Sequence, residues 1–265
     1  MQSTFWPSRL NYNALEKCAV FWGGTTTADD MLSLDRQEDY RRRYAVERPG
    51  WRPASHMYRD RVAGHLGPAV RVLDLGCGRG GVLEELHGRA GFAAGLDPDP
   101  RSLREHRLPG LPRAAGRAEA LPYPAAAFDL VCCSWVLEHL ADPARALAEV
   151  ARVLVPGGRF VFLTPNRLHP LLVLNRALRS SGGLVRRLYG RAEADIFPAL
   201  YRANDALHLR RALEAVGLEL TFLVRVGDPT YLAFNEPLYR FASLLERLTP
   251  PALRVHLVGE ASKPT

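Results

Sequence analysis

Lysine is almost absent from this sequence. Of the 35 basic residues, 33 are Arg, and Lys17 and Lys263 are the two exceptions. The formal net charge is +7, but most Arg residues alternate with acidic ones, as in the segment 35–43, which is typical of a solvated helix face. The charge therefore gives little support for a nucleic-acid partner.

Cysteine is scarce, and no C-x-x-C spacing occurs. The four residues are Cys18, Cys77, Cys132 and Cys133. In a strand, the adjacent Cys132 and Cys133 would point to opposite faces. We therefore predict reduced thiols, with neither a disulfide framework nor a zinc site or other metal.

The sequence also lacks a targeting signal and a long apolar run. The N-terminal MQSTFWPSRL has no basic region followed by an apolar core, and no run approaches the roughly 20 apolar residues that a membrane span needs. We predict a soluble, cytoplasmic protein. With 265 residues and 47% hydrophobic content, the chain can bury one large core with an attached cap.

Short apolar runs alternate with helical patterns between residues 70 and 163. The predicted strands are Val70–Leu75, Phe92–Leu96, Phe128–Ser134 and Arg159–Leu163, with a short one expected within 112–118; the predicted helices are Gly80–Arg89, Pro100–His106 and Pro143–Leu154. This alternation predicts βαβ units and a doubly wound α/β fold with a mostly parallel sheet.

The regions outside this alternation are predicted as additions to one domain. A helix at Asn204–Val216 and strands near Leu218–Val226 and Thr230–Asn235 would complete seven strands. The predicted divisions are an N-terminal helical cap at 1–66, a core at 67–235 with a lid inserted at 164–203, and a C-terminal amphipathic helix and tail at 236–265. An insertion of this length is more often a binding element than a disordered loop.

The glycine-rich stretch VLDLGCGRGG fits two cofactor patterns. Gly76, Gly78 and Gly81 match the dinucleotide pattern, whereas Gly76, Gly78 and Gly80 match that of S-adenosylmethionine enzymes. Asp74 favours the second, because a carboxylate repels a pyrophosphate at a helix N-terminus but attracts the cationic methionine end of S-adenosylmethionine.

A second acid follows at the end of the next predicted strand. Asp97 lies 21 positions after Gly76, where a carboxylate can accept hydrogen bonds from both ribose hydroxyls of either cofactor. Asp99 is the alternative for this role, and it also fits an N-cap ahead of Pro100.

Further motifs extend the pattern downstream. They are AEALPYP at 118–124, FDLV at 128–131, VLEHL at 136–140 and EVARVLVPGG at 149–158. Together with the glycine loop, they resemble class I S-adenosylmethionine-dependent methyltransferases of the ubiquinone/menaquinone-biosynthesis type, over about residues 70–165. The resemblance implies the Rossmann-like methyltransferase fold and S-adenosyl-L-methionine as cofactor.

The resemblance also implies which residues surround the cofactor. Those lining the methionine part would be Asp74, Gly76, Cys77 and Gly78; those at the ribose and adenine would be Asp97, Pro98, Ala118 and Glu119; those bordering the methyl group would be Ser134 and Leu137. The family commonly has Asp before the Ala-Glu pair, where this chain has Arg117. Either Glu119 contacts the adenine amino group instead, or backbone groups recognise the adenine.

Methyl transfer requires alignment of the acceptor, and a hydroxyl acceptor benefits from a general base. His139, which follows the fourth predicted strand, is the candidate base, although it also fits an ordinary turn before the next helix. His169, Tyr201 and His208 lie in or beside the insertion as further candidates. Tyr201 is predicted to bind substrate.

Two observations concern the acceptor. The segment Cys133–Val136 stands where methyltransferases of base amines carry an Asn/Asp-Pro-Pro-aromatic motif, so a nucleic-acid acceptor is not expected. Arg186 and Arg187 belong to a basic stretch of the insertion that suits a phosphorylated or lipid-linked small molecule, or an anionic membrane surface in peripheral contact. A solvated helix face is an equally good interpretation of this stretch.

The sequence thus predicts a methyltransferase acting on a small-molecule acceptor, by O-methylation of a sugar, lipid-linked glycan or polyketide/quinone-like metabolite. Two alternatives stay open: an NAD-dependent oxidoreductase and a non-catalytic S-adenosylmethionine-binding partner. The oligomeric state is not predicted.

Overall fold

The protein forms one seven-stranded sheet with helices on both faces. The computed structural model describes residues 34–180, 199–233 and 235–265. The strands are β1 Arg71–Leu75, β2 Phe92–Asp97, β3 Arg113–Ala115, β4 Phe128–Ser134, β5 Leu154–Pro165, β6 Glu219–Val226 and β7 His256–Ser262. Their spatial order is β3-β2-β1-β4-β5-β7-β6. All pairings are parallel except those of β7 with β5 and β6, which are antiparallel.

Eight α-helices connect or flank these strands in the described part of the chain. They are α1 Leu34–Glu47, α2 Ala54–His65, α3 Leu83–Leu86, α4 Pro100–Arg104, α5 Pro143–Val153, α6 Pro170–Ser180, α7 Ala206–Glu214 and α8 Glu236–Leu248. Two apolar clusters fill the space between sheet and helices. On one face, the strands pack against α2 and α3, and on the other against α5 and α7. Among the described residues, no helix has the length and apolar character needed to cross a membrane.

The predicted doubly wound, mostly parallel seven-stranded sheet is confirmed. The helix starts follow from their caps, because Asp142 accepts a hydrogen bond from the Arg145 N–H ahead of Pro143, and Asp99 accepts from Arg101 and Ser102. The prediction that Cys132 and Cys133 point to opposite faces of a strand is confirmed, because they pack into different apolar clusters on the two faces of the sheet.

The position of the seventh strand was predicted incorrectly. The described residues of this range, 230–233 and 235, do not form a strand; Pro229–Leu232 is a 3₁₀ turn that Asp228 caps through the Thr230 N–H. The strand is instead His256–Ser262, beyond residue 235, where the sequence placed the end of the core. The buried Glu260 interrupts the apolar pattern by which a buried strand is recognised in a sequence. Its carboxylate pairs with Arg61, His65 and Arg159.

The two predicted additions are described only in part. Helices α1 and α2 belong to the predicted N-terminal cap, of which residues 1–33, including Cys18, lie outside the described residues. The predicted lid overlaps the end of β5 and α6, and its residues 181–198, with Arg186 and Arg187, also lie outside them. The division of the chain into cap, core and lid stays a prediction.

Candidate active site

The glycine loop leaves the carboxyl end of β1 as a tight turn with left-handed backbone. The φ angles are +79° at Gly76, +52° at Gly78 and +142° at Gly80. A Cβ on Gly76 would lie 2.1 Å from Cγ2 of Val136. Glycine is needed at Gly76 for two reasons, since both the conformation and the approach of Val136 exclude a side chain.

Asp97 fixes this loop to the end of β2. Its Oδ2 accepts a hydrogen bond from the Gly78 N–H at 2.9 Å, and its Oδ1 accepts from the Asp99 N–H at 2.9 Å. The side chain is 5% exposed. Because a carboxylate has about four acceptor positions, Asp97 retains capacity for ribose hydroxyls. That role remains a prediction, whereas Asp99 serves as the N-cap of α4.

Asp74 is buried, at 3% exposure, on the same face of β1 as Val72. A Cβ on Gly81 would lie 2.9 Å from its Oδ2, so Gly81 allows the loop to cross this carboxylate. Sequence reasoning assigned Gly81 to an ordinary first helical turn and missed this contact. Burial raises the pKa of the Cys132 thiol and of the Tyr58 hydroxyl, and the charge of Asp74 raises both further.

Cys77 has a structural role in the loop. The thiol is fully buried, and a Cβ added to Gly95 of β2 would lie 2.7 Å from its Sγ. The side chain therefore points at β2. Any contact of Cys77 with the cofactor is expected through its backbone.

The residues predicted at the adenine lie beyond β3. Ala118 is buried, and Glu119 lies in the same turn, where its Oε1 is 3.3 Å from Nη2 of the exposed Arg117. An exposed ion pair of this kind is weak, so an adenine amino group can compete for Glu119. Pro98 is exposed directly after β2. These adenine contacts stay predictions.

The residues predicted at the methyl group follow β4. Ser134 ends the strand, and Leu137–His139 forms a 3₁₀ turn in which Leu137 is buried. The His139 ring is 31% exposed, with Nε2 at 3.9 Å from Oε1 of Glu138. The catalytic role of His139 is untested by this geometry and stays a prediction.

A buried network of hydrogen bonds connects this turn to β5 and to the residues before α7. The Asn204 side chain donates to Thr164 Oγ1 at 2.5 Å, and Thr164 donates to Glu138 Oε2 at 3.1 Å. The Glu138 carbonyl accepts from the Tyr201 N–H at 3.0 Å. Tyr201 is buried with φ +52°, so the end of the insertion packs on the turn after β4. Its predicted contact with substrate is untested.

A second polar cluster lies at the same sheet edge, and only His169 among its members was named from the sequence. Its members are Arg41 of α1, His169 before α6, Asp228 and Tyr231 after β6, and His256 at the start of β7. Arg41 Nε donates to Asp228 Oδ2 at 3.1 Å in a buried ion pair. Burial alone would raise the pKa of Asp228, but the charges of Arg41 and His256 and the hydrogen bonds from Thr230 together lower that pKa.

The two histidines of this cluster are buried without complete hydrogen bonding. His256 is 4% exposed and His169 is 8% exposed. Burial lowers the pKa of each to about 4. Within the described part of the chain, Nδ1 of each ring forms no hydrogen bond. Buried polar atoms are normally satisfied, whereas each of these two nitrogens lacks a hydrogen-bond partner among the residues that the structure describes, and less than 1 Å² of its surface is exposed.

The predicted residues of the methionine and ribose sites converge on one edge of the sheet. Asp74, Gly76, Gly78 and Asp97 surround the glycine loop, and Ser134 follows from the adjacent β4. The carboxyl ends of parallel strands at the point where strand order reverses form the usual ligand crevice of this architecture. The positive-φ glycines and the two buried acids fit S-adenosylmethionine, whose methionine end carries an ammonium and a sulfonium.

Comparison with known proteins agrees with this geometry. A family described as "Methyltransferase domain" matches residues 73–162. A demethylmenaquinone methyltransferase of Mycobacterium sp. strain KMS is 32% identical over 158 residues, which cover 57% of this chain and 69% of that protein. The chain belongs to the class I S-adenosylmethionine-dependent methyltransferases. S-adenosyl-L-methionine is accordingly its cofactor.

Other members of the methyltransferase family share parts of the chain. A ubiquinone biosynthesis O-methyltransferase of Hahella chejuensis is 38% identical over 107 residues, which span 38% of this chain and 45% of that protein. Among solved structures, geranyl diphosphate C-methyltransferase from Streptomyces coelicolor A3(2) has a TM-score of 0.56 at 15% identity, covering 96% of this chain and all of the other. A methyltransferase from Mesorhizobium loti has a TM-score of 0.54 at 21% identity, covering 79% of this chain and 98% of the other. These structures support the fold.

Proposed function

We propose that this protein transfers a methyl group from S-adenosylmethionine to a hydroxyl oxygen of a small-molecule acceptor. The observation that carries the proposal is the pairing of a cofactor loop with a separate buried polar cluster at the same sheet edge. Asp74 and Asp97 belong to the loop, while His169 and His256 offer unsatisfied ring nitrogens beyond β4.

The cofactor contributes a methyl group already activated on a sulfonium. The protein has to hold the acceptor oxygen in line and exclude water. Gly76 and Gly78 let the backbone approach the cofactor, and Asp74 attracts its cationic end. The turn after β4, supported by the Glu138 network, would border the reacting carbon on the acceptor side.

The acceptor is proposed to be a sugar, a lipid-linked glycan or a polyketide/quinone-like metabolite. The relatives named for ubiquinone and menaquinone steps favour the last of these, although the alignments span only 45% and 69% of the two relatives. We place the reaction in the cytoplasm, where the free thiols of Cys77, Cys132 and Cys133 stay reduced.

An NAD-dependent oxidoreductase is disfavoured by Asp74, because this buried carboxylate lies against Gly81, where a pyrophosphate would bind. Thermal unfolding distinguishes the two cofactors. We expect S-adenosylhomocysteine to raise the melting temperature and NADH to leave it unchanged. The reverse result would rule out the proposed cofactor.

The acceptor is to be identified by incubating the protein with S-adenosylmethionine and candidate acceptors and searching for the mass increase of one methyl group. A panel of quinol, sugar and lipid-linked compounds that yields no product, while S-adenosylhomocysteine binds, would favour a non-catalytic S-adenosylmethionine-binding protein.

The insertion is proposed to help bind the acceptor. Replacing Arg186 and Arg187 together with Ala should raise KM for the acceptor and leave the affinity for S-adenosylhomocysteine unchanged. If KM also stays unchanged, these residues belong to scaffolding or to a solvated helix face.

A further inference from the structure

His256 stands out among the buried titratable groups that the cofactor site does not use. Tyr231 Oη lies 2.7 Å from its Nε2. The Trp135 ring packs edge-on at 5.1 Å between centroids, and the Tyr231 ring lies at 5.5 Å. These contacts fix the plane of the imidazole. They leave Nδ1 as the ring nitrogen without a hydrogen bond among the described residues.

His256 lies at the same edge of the sheet as Ser134. It is paired with Pro165 at the end of β5 and lies on the same face of β7 as Val258, in the cluster that also contains Cys132 of β4. One strand separates β7 from β4, which corresponds to about 10 Å between their axes. Less than 1 Å² of the His256 Nδ1 surface is exposed, so an acceptor reaches this nitrogen only once it displaces the side chains that cover the ring.

Burial and the charge of Arg41 oppose a protonated His256 imidazole, whereas the charge of Asp228 favours it. Asp228 and Glu38 carry negative charge, while Arg41 carries one positive charge and pairs with both, at 3.1 Å and 3.8 Å. The sum of these three charges is −1. His169, another titratable group of the cluster, is neutral near pH 7, since burial holds its pKa at about 4.

Trp135 adds a conformational observation. It has φ +58° although it is not glycine, and it directly follows Ser134. Strained backbone of this kind costs on the order of 1–3 kcal/mol and concentrates at functional sites. Here the conformation places the indole against His256.

We propose that His256, oriented by Tyr231 and Trp135, is the base that accepts the acceptor's hydroxyl proton on Nδ1 during methyl transfer. The inference rests on the proposed function. As the O–CH₃ bond forms and the S–CH₃ bond breaks, the acceptor O–H proton moves to Nδ1, and the S–CH₃ electron pair stays on sulfur. The imidazolium then releases the proton to solvent. Tyr231 and Trp135 are positioning residues.

The assignment requires a defined tautomer. If Nδ1 is to accept a proton, Nε2 must carry the hydrogen and donate it to Tyr231 Oη. ¹⁵N chemical shifts of the imidazole at neutral pH, with S-adenosylhomocysteine bound and the signal assigned by its loss in His256→Gln, report this directly. We expect the Nε2–H tautomer, and the Nδ1–H tautomer would overturn the assignment. No acceptor is needed, so this result is independent of the proposed reaction.

Kinetics with the acceptor found by mass shift give the second test. His256→Gln can keep a polar partner for Tyr231 but lacks Nδ1, so we expect kcat to fall roughly 10²- to 10⁴-fold with unchanged affinity for S-adenosylhomocysteine. Tyr231→Phe should lower kcat roughly tenfold, the equivalent of one hydrogen bond. His87→Gln, at an exposed histidine whose Nδ1 lies 3.0 Å from the Leu83 carbonyl oxygen, is the matched control and should be silent.

The same measurements compare His256 with His139. If His139→Gln abolishes the reaction and His256→Gln lowers kcat less than tenfold, His139 is the base and the assignment of His256 is wrong. If the wild-type protein methylates none of the acceptors, the proposed function fails, and the tautomer still decides whether Nδ1 is able to accept a proton.

Discussion

The Gly78 N–H donates a hydrogen bond of 2.9 Å to Oδ2 of Asp97, which ties the glycine loop after β1 to the end of β2. Loop geometry and the predicted ribose contact therefore depend on one carboxylate. Asp97→Ala should weaken binding of S-adenosylhomocysteine by about 1–3 kcal/mol, as measured by calorimetry.

The matched control for Asp97 is Asp99→Ala, two residues away. Asp99 caps α4 through Arg101 and Ser102, so its loss should reduce the free energy of unfolding by about 1 kcal/mol without changing cofactor affinity. Equal losses of affinity in the two variants would mean that Asp97 acts only through local folding.

Gly76→Ala should destabilise the fold and abolish cofactor binding. The added Cβ would meet Val136 Cγ2 at 2.1 Å, and φ is +79°. Adding Val136→Ala removes the clash but not the strained backbone, so the double variant should recover stability only in part. Full recovery in chemical denaturation would show that sterics alone require glycine here.

Removal of Arg41 should be more damaging than removal of the whole ion pair. Arg41→Met leaves Asp228 buried without its partner and should cost about 3–5 kcal/mol of unfolding free energy. Arg41→Met combined with Asp228→Asn should cost less than the single change. Arg43 lies on the same helix as Arg41 and forms a partly exposed pair with Glu236 of α8. Arg43→Met removes that pair and serves as control.

Glu246 should make stability fall as pH rises. Burial raises the pKa of its carboxyl from 4.5 to about 7, against the opposing charge of Arg254 and with a contribution from Asp228. Because the folded pKa exceeds the unfolded one, the protonated form stabilises the fold, and this contribution is lost between about pH 4.5 and 7.

The size of the Glu246 effect is about 1–3 kcal/mol, from roughly 1.4 kcal/mol per pH unit and partial solvent screening. Glu246→Gln should remove this slope and make the protein more stable than wild type at pH 8. Glu214→Gln, at an exposed glutamate of α7, should leave the slope in place. An unchanged slope in Glu246→Gln would place the titration elsewhere.

The elements around the cofactor were predictable because each carries a local signal. The glycines after β1, the acid at the end of β2 and Asp142 followed by Pro143 are read within a few residues. The role of Gly81 was not predictable in this way, because its contact with Asp74 depends on the path of the loop over β1.

The contacts within the second polar cluster could not be predicted in the same way. His256 lies on a strand whose Gly259 packs under Phe162 and whose Glu260 pairs with Arg61 and His65 of α2 and with Arg159 of β5. No local sequence pattern predicts that His256 contacts Tyr231. Nor does one predict that Arg41 pairs with Asp228, 187 positions away in the sequence. Long-range pairing of charges determines this part of the site.

The antiparallel β7 has a consequence for how the protein is made. It lies between β5 and β6, so among the described strands β6 has no other neighbour to join. During synthesis, the ribosome must release residues 256–262 before the sheet can close. A nascent chain that ends before β7 therefore leaves one edge of β5 and the pairing edge of β6 without a partner strand, even when the glycine loop is already complete.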